Sequence, residues 1–185
     1  MKMLIIQGHP DQESFTHANA MNFAAVAKEK GHEVQIVDLA TADFDSVLRY
    51  GYRQHMEDES FPKAVQEKIA WADRISFFFP VWWSAEPSVL KGMIDRVFTP
   101  GFAYNRRNGK IVKHLTGKKA DVFTSSNFGG WYYKMFGNVV SRYKLGIFAY
   151  TGIKLNKAYV LGHMDSGVTQ KDREAYIEKC AATID

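Results

Sequence analysis

The sequence predicts an α/β protein: a doubly wound, five-stranded parallel sheet in the order 2-1-3-4-5, with helices on both faces. Three observations carry this. Short apolar runs alternate with longer stretches of helical character, the pattern of a parallel sheet wrapped by crossover helices. The first run, "KMLIIQ", is continuously apolar before Gly8, as in a strand buried on both faces. A chain of 185 residues suits one well-buried core and is short for two, so residues 1–185 read as a single domain.

The elements follow in order. After "KMLIIQ", residues 15–30 are rich in Ala, Met, Val and Lys without Pro or Gly, a helix closed by Gly31. "HEVQIVDL" alternates and is β-branched, giving the second strand. A helix over 63–72 leads to the third, "RISFFFP". Residues 87–98 place Val89, Leu90, Met93, Ile94, Val97 and Phe98 on one helical stripe. "KKADVFTSS" is the fourth strand, followed by a helix from near Trp131 to before Gly152. "KLNKAYVLG" is the fifth, and "TQKDREAYIEKCAATI" a last helix capped by Thr169. Residues 40–60 and 101–116 stay unassigned; long irregular stretches in a compact domain are often functional, surface disorder being the plainer alternative.

Composition narrows the function. A formal charge of +4 is too mild to imply nucleic acid. The basic cluster Arg106, Arg107, Lys110, Lys113, Lys118 and Lys119 lacks interleaved aromatics and reads as a solvated hairpin. A single cysteine, Cys180, forms no internal disulfide and suits a reducing compartment. No apolar run approaches the roughly 18 residues of a membrane span, and the N-terminus has no signal-peptide pattern. The expectation is a soluble cytoplasmic protein. The six histidines lack metal-ligand spacing, so no metal is expected. GxGxxG, Walker and GxSxG signatures are absent.

Ligands of an open α/β sheet bind at the carboxyl ends of strands near the switch in strand order. Three stretches meet there. "GHPDQESFTH" offers a helix N-terminus with the hydroxyls of Ser14 and Thr16 and the imidazoles of His9 and His17, a phosphate site provided Asp11 and Glu13 face solvent. An ordinary capped helix is the alternative. "PVWWSAEP" places Trp82 and Trp83 between two prolines, a rigid wall for a flat ring; a plugged core or a subunit contact is the alternative. "TSSNFGGWYY" joins small residues to Gly129 and Gly130, which let a ring approach the backbone. Tyr132 and Tyr133 follow as hydroxyl donors to a reacting carbonyl, or as helix-packing residues.

Together these stretches resemble the NAD(P)H dehydrogenase (quinone) family of flavodoxin-like flavoproteins. "GHP…SF", "FPVWWSAEPSVLKGMIDRVF", "GFAY" and "LTGKKADVFTSS" match in order from residue 3 to about residue 126, the proline–tryptophan string being the most specific. The resemblance implies FMN, with FAD the alternative, and a ping-pong cycle: hydride passes from NAD(P)H to flavin N5 and then to a quinone-like acceptor, azo or nitro compounds included. It supports His9, Ser14, Phe15 and Thr16 at the phosphate and ribityl end. It places Pro80, Val81, Trp82 and Trp83 along the isoalloxazine and Thr124 and Ser125 at the start of the fourth-strand loop. Counting along that loop puts Tyr132 at the family's catalytic tyrosine position, whereas the histidine position of larger members falls near Asn138. The family also implies a homodimer with the active site at its interface. Aromatics of 44–52 with Phe102 and Tyr104 would then cover the neighbour's flavin, and Trp83, Phe102, Tyr104 and Tyr133 would meet the substrate. A flavodoxin-like electron carrier is disfavoured by the basic charge, and a regulatory subunit of a membrane transporter stays open.

Overall fold

The structure is a computed structural model that describes residues 1–129 and 139–185. Its first half runs β1 (Lys2–Gln7), α1 (Phe15–Glu29), β2 (Glu33–Asp38), α2 (Ser60–Trp71), β3 (Arg74–Pro80) and α3 (Ser88–Val97). Then come β4 (Tyr104–Arg107), β5 (Lys110–Lys113), β6 (Lys119–Ser125), a helix α4 described over 139–151, β7 (Lys154–Leu161) and α5 (Gln170–Ala181). Within α4, Tyr143–Phe148 forms a π-helical turn between two α-helical segments.

The main sheet has the order β2-β1-β3-β6-β7, and each neighbouring pair is parallel. Strands β4 and β5 form a separate antiparallel ribbon, so the five strands read from the sequence stand in the expected order 2-1-3-4-5. The run of three phenylalanines divides between the faces: Phe77 and Phe79 enter the core under α2, α3 and α4, and Phe78 enters the core under α1 and α5. In β1, Leu4 and Ile6 face the first layer and Met3 and Ile5 the second. Central parallel strands are buried on both faces, which is why both runs are apolar throughout.

At the amino edge of the sheet a polar network replaces apolar packing. The buried Arg74 guanidinium donates to Asp121 at 2.6 Å and to the Thr183 carbonyl at 2.9 Å, while Ser76 donates to Asp121 at 2.7 Å. Asn156 completes the carboxylate's partners at 2.9 Å. A buried ion pair is tolerated when its lone pairs and protons are satisfied in this way.

Helix ends follow the sequence signals. Ser14 and Thr169 cap α1 and α5, Thr169 in a capping box with Asp172. Gly31 and Gly152 adopt left-handed φ of 80° and 98° just past α1 and α4. The beginning of the helix expected from Trp131 lies outside the described residues. Helix α2 starts at Ser60 rather than Lys63, because a proline is accommodated in a first helical turn, where Pro62 sits.

The stretch 40–59 is an ordered excursion laid along α3. The Arg96 side chain, 2% exposed, donates to the carbonyls of Asp45 at 2.5 Å and Asp58 at 2.6 Å. Gly92 makes room for it, since a Cβ there would stand 2.3 Å from the Ser46 carbonyl oxygen. The unassigned 101–116 stretch contains the β4–β5 ribbon, turned by Asn108 and Gly109 at φ of 51° and 73°. No helix among the described residues is long and apolar enough to cross a membrane.

Candidate flavin and substrate site

The loop after β1 is braced from beneath. The buried Gln7 amide donates to the His9 carbonyl at 2.9 Å and to Asp38 at 2.8 Å, and its oxygen accepts the His9 N–H. Gly8 does not use a left-handed turn here. It is required by close approach, because a Cβ would lie 2.6 Å from Leu90 of α3. Asp11 and Glu13 are exposed, and the Asp11 carboxylate is engaged by the Glu13 N–H at 2.9 Å, just before the cap. Ser14 Oγ accepts the His17 N–H at 3.1 Å. Helix geometry leaves the N–H groups of Phe15 and Thr16 without an intrahelical acceptor, at the positive end of the α1 dipole.

His9 sits where that loop meets the next. Its Nδ1 accepts the Asp11 N–H at 3.0 Å, which leaves the neutral ring's proton on Nε2. Burial pushes its pKa below the ordinary 6.5, only partly offset by Asp11. Its ring meets Trp82 edge-on at 5.2 Å.

After β3 the chain makes a two-residue reversal: Trp82 N–H donates to Ala85 O at 2.8 Å and Ala85 N–H returns to Trp82 O at 3.0 Å. The central residues, Trp83 and Ser84, have φ of 50° and 62°, a type I′ geometry usually built from Asn and Gly. Trp83 is 100% exposed at its tip. Behind the turn the buried carboxylate of Glu86 pairs with Arg142 of α4, tying the wall to the helix that carries the π turn. Val81 N–H donates to Ser125 O at 2.7 Å, closing the wall onto β6.

These loops enclose a cavity of about 210 Å³ at the carboxyl edge of β1, β3 and β6. His9, Ser14, Phe15 and Thr16 line one side, and Pro80, Val81, Trp82 and Ser125 the other. Ser126, Asn127 and Met164 complete it and were not singled out from the sequence. Ser126 and Asn127 belong to the "TSSN" loop already in view. Met164 comes from the loop after β7, whose Met164 N–H donates to Ser126 O at 3.1 Å; the only signal for it is that the last strand also ends at this edge.

Other expected site residues lie elsewhere. His17 turns away from the cavity toward Asp38, 3.3 Å distant. Trp83 projects into solvent rather than into the cavity. Thr124 is 2% exposed beneath the floor, its N–H donating to the Tyr176 hydroxyl at 3.1 Å. Gly129 is buried against the backbone of Gly162. Phe102 and Tyr104 line other cavities of the same chain. The aromatics expected to lie exposed are mostly packed: Phe44 stacks on Phe61 at 4.2 Å and Tyr104 meets Tyr150 at 4.7 Å. Only Tyr52 among them is strongly exposed, at 56%. The excursion 40–59 folds back on α2 and α3, which gives Phe44 its partner, and Tyr104 of β4 finds its partner on α4. Gly130, Tyr132, Tyr133 and Asn138 lie outside the described residues. Cys180 is buried and its thiol is pushed up to about 12, chiefly by burial. Among the described residues no three of His, Cys, Asp or Glu are placed to hold a metal ion.

The sheet order and a cavity at its switch point define a flavodoxin-type α/β protein. The chain belongs to the family of the flavodoxin-like fold, whose family model matches residues 1–184. It is 32% identical over 188 residues to an uncharacterized NAD(P)H oxidoreductase of Haemophilus influenzae, covering 98% of this chain and 93% of the relative. It is 31% identical over 123 residues to NAD(P)H dehydrogenase [quinone] 1 of Cavia porcellus, covering 56% of this chain and 45% of that protein's length. Among solved structures, the NAD(P)H:quinone oxidoreductase of Methanothermobacter marburgensis superposes with a TM-score of 0.82 at 26% identity, covering 98% of this chain and 95% of that one.

Proposed function

We propose that this chain is a flavin-dependent NAD(P)H oxidoreductase whose acceptor is a quinone or a related flat, reducible compound. The observation that carries this is the two-ended cavity. One end offers the hydroxyls of Ser14 and Thr16 beside free N–H groups of α1. The other is a flat wall of Pro80, Val81 and Trp82 facing Ser125. A phosphate joined to a planar ring system fits both ends, and the wall's lack of Lys and Arg suits a ring better than a second anion. FMN matches this description with a single phosphate; the relatives, named NAD(P)H oxidoreductases and quinone dehydrogenases, support the nicotinamide donor and the quinone class.

A bound flavin would supply two-electron hydride chemistry between donor and acceptor. The chain's own groups do the rest. Helix α1 and Ser14 hold the phosphate; the prolines flanking the wall fix the ring's plane; His9 presents Nε2–H as a neutral donor. Tyr132 is the proposed hydroxyl donor to the reduced ring, with Tyr133 beside the substrate. We further propose a cytoplasmic homodimer in which a second copy covers the apolar rim of Trp82, Trp83 and Phe128, exposed by 44%, 100% and 56%.

The test is the visible spectrum of the purified chain, its bleaching by NADH or NADPH without oxygen, and its return on adding a benzoquinone. A colourless protein that takes up neither FMN nor FAD overturns the proposal.

A further inference from the structure

A second cavity, of about 560 Å³, lies between the 40–59 excursion, α2 and the segment after α3. It shares no lining residue with the site above, and nothing in the proposed reaction uses it. Its charge is unbalanced. Arg53, Lys63 and Arg96 line it against one carboxylate, Glu59. The Arg53 and Lys63 side chains are exposed and have no hydrogen-bond or ion-pair partner among the described residues. Arg96 lies beneath them, 2% exposed. Its Nε has no hydrogen-bond partner, and its nearest carboxylate, Glu59, is 3.5 Å away and also accepts the Met56 N–H. Arg53, Lys63 and Arg96 against Glu59 leave the lining with two net positive charges, a complement to a dianion rather than to a carboxylate.

The remaining walls are suited to a ring. Tyr52, 56% exposed, and Phe102 supply aromatic faces, between Pro62 and Pro100. Gln54 adds an exposed amide able to pair with a polar ring edge. Aromatic faces beside a forked guanidinium are a recurring way to hold a base and its phosphate.

We propose that this cavity binds an aromatic phosphate monoester of nucleoside-monophosphate size, separately from the flavin. Arg53 and Lys63 grip the dianionic phosphate, the buried Arg96 charge stabilises it from below, and Tyr52 and Phe102 flank the ring.

The test is calorimetric titration of the FMN-saturated chain, or of the chain as purified if it takes up no flavin, with adenosine 5′-monophosphate, adenosine and inorganic phosphate. The monophosphate is expected to bind saturably below about 1 mM, tighter than either fragment, and to weaken as salt is raised. The double variant Arg53→Ala, Lys63→Ala is expected to lose about tenfold or more in that affinity while its FMN content stays unchanged. Both residues are exposed, so folding is preserved; Arg96 is left intact because it ties down the excursion. No saturable binding, equal affinity for adenosine, undiminished binding by the double variant, or displacement of FMN would each overturn the proposal. FMN uptake is read separately, so a failed flavin reading leaves this result interpretable.

Discussion

Ser14 carries two jobs that substitution can separate. Its Oγ accepts the His17 N–H at 3.1 Å as the α1 cap, and the same hydroxyl lines the cavity. Replacing an N-cap serine by alanine costs about 1 kcal/mol, whereas glycine costs only about a few tenths. In a chain of this length 1 kcal/mol moves Tm by roughly 2–4 °C. A hydrogen bond to a charged phosphate contributes about 1.5–3 kcal/mol, which is about tenfold to a hundredfold in Kd. Ser14→Ala is therefore expected to lower the flavin-free Tm and weaken FMN. Ser14→Gly should weaken FMN to a similar degree with little change in Tm. Thr169→Ala is the control: it removes the cap of α5, where Thr169 Oγ1 accepts Asp172 N–H at 3.2 Å, and Thr169 does not line the cavity. It should lower Tm and leave FMN affinity unchanged. Melting curves and quenching of FMN fluorescence report the two quantities. If Ser14→Gly binds FMN as tightly as the parent chain, Ser14 is a cap alone and the phosphate reading of α1 fails.

Three further outcomes are expected. Burial lowers the His9 pKa from 6.5, so just below that value the unfolded chain binds more protons than the folded one. The His9 contribution to stability is present above 6.5 and is lost as pH falls toward the lowered folded value. His9→Gln should flatten that part of the Tm–pH curve between about pH 5 and about pH 7.5; an unaltered slope would place the titration elsewhere. Trp83→Gly should stabilise by about 1 kcal/mol by relieving a left-handed tryptophan, whereas Trp83→Ala should not; identical denaturation midpoints for the two would show the turn to be unstrained. Asp121→Ala strands the buried Arg74 charge and should cost about 3–5 kcal/mol in urea unfolding, with FMN affinity of the folded protein unchanged.

Much of the fold was legible because local and global signals agree. Alternation of Phe77, Phe78 and Phe79 between two cores requires a strand covered on both faces, and that covering is what a doubly wound topology provides. The caps at Ser14 and Thr169 and the glycines at 31 and 152 mark helix ends by chemistry that needs no tertiary context. The β4–β5 ribbon was legible too: the basic cluster reads as a solvated hairpin, and Asn108–Gly109 is the strongest short hairpin signal, although the strand bounds stay unassigned from sequence. The type I′ turn at Trp83 and Ser84 was not, since neither residue favours a left-handed backbone and only the closed loop imposes it. The packing of Phe44 and Tyr104 also escaped. Phe44 belongs to an excursion that Arg96 holds through the carbonyls of Asp45 and Asp58, and Tyr104 meets Tyr150 of α4; periodicity carries no information on such long-range contacts.

The placement of strain and charge separates the two edges of the sheet. At the amino edge, Arg74, Asp121, Ser76 and Asn156 satisfy one another, and no lining residue of the candidate site belongs to that network. At the carboxyl edge, the backbone is left-handed at Trp83, Ser84 and His163, and helix-end N–H groups are left free. Strain of about 1–3 kcal/mol per residue persists only where the surroundings enforce it. At Trp83 and Ser84 the paired Trp82–Ala85 backbone bonds enforce it, while Gln7 braces the first loop and Glu86 lies behind the second. Both are buried polar side chains, which an apolar core would not select for stability alone. Their position directly behind the cavity loops ties the rigid sheet to the site, and it makes Glu86 and Arg142 the pair through which movement of α4 would reach the ring wall.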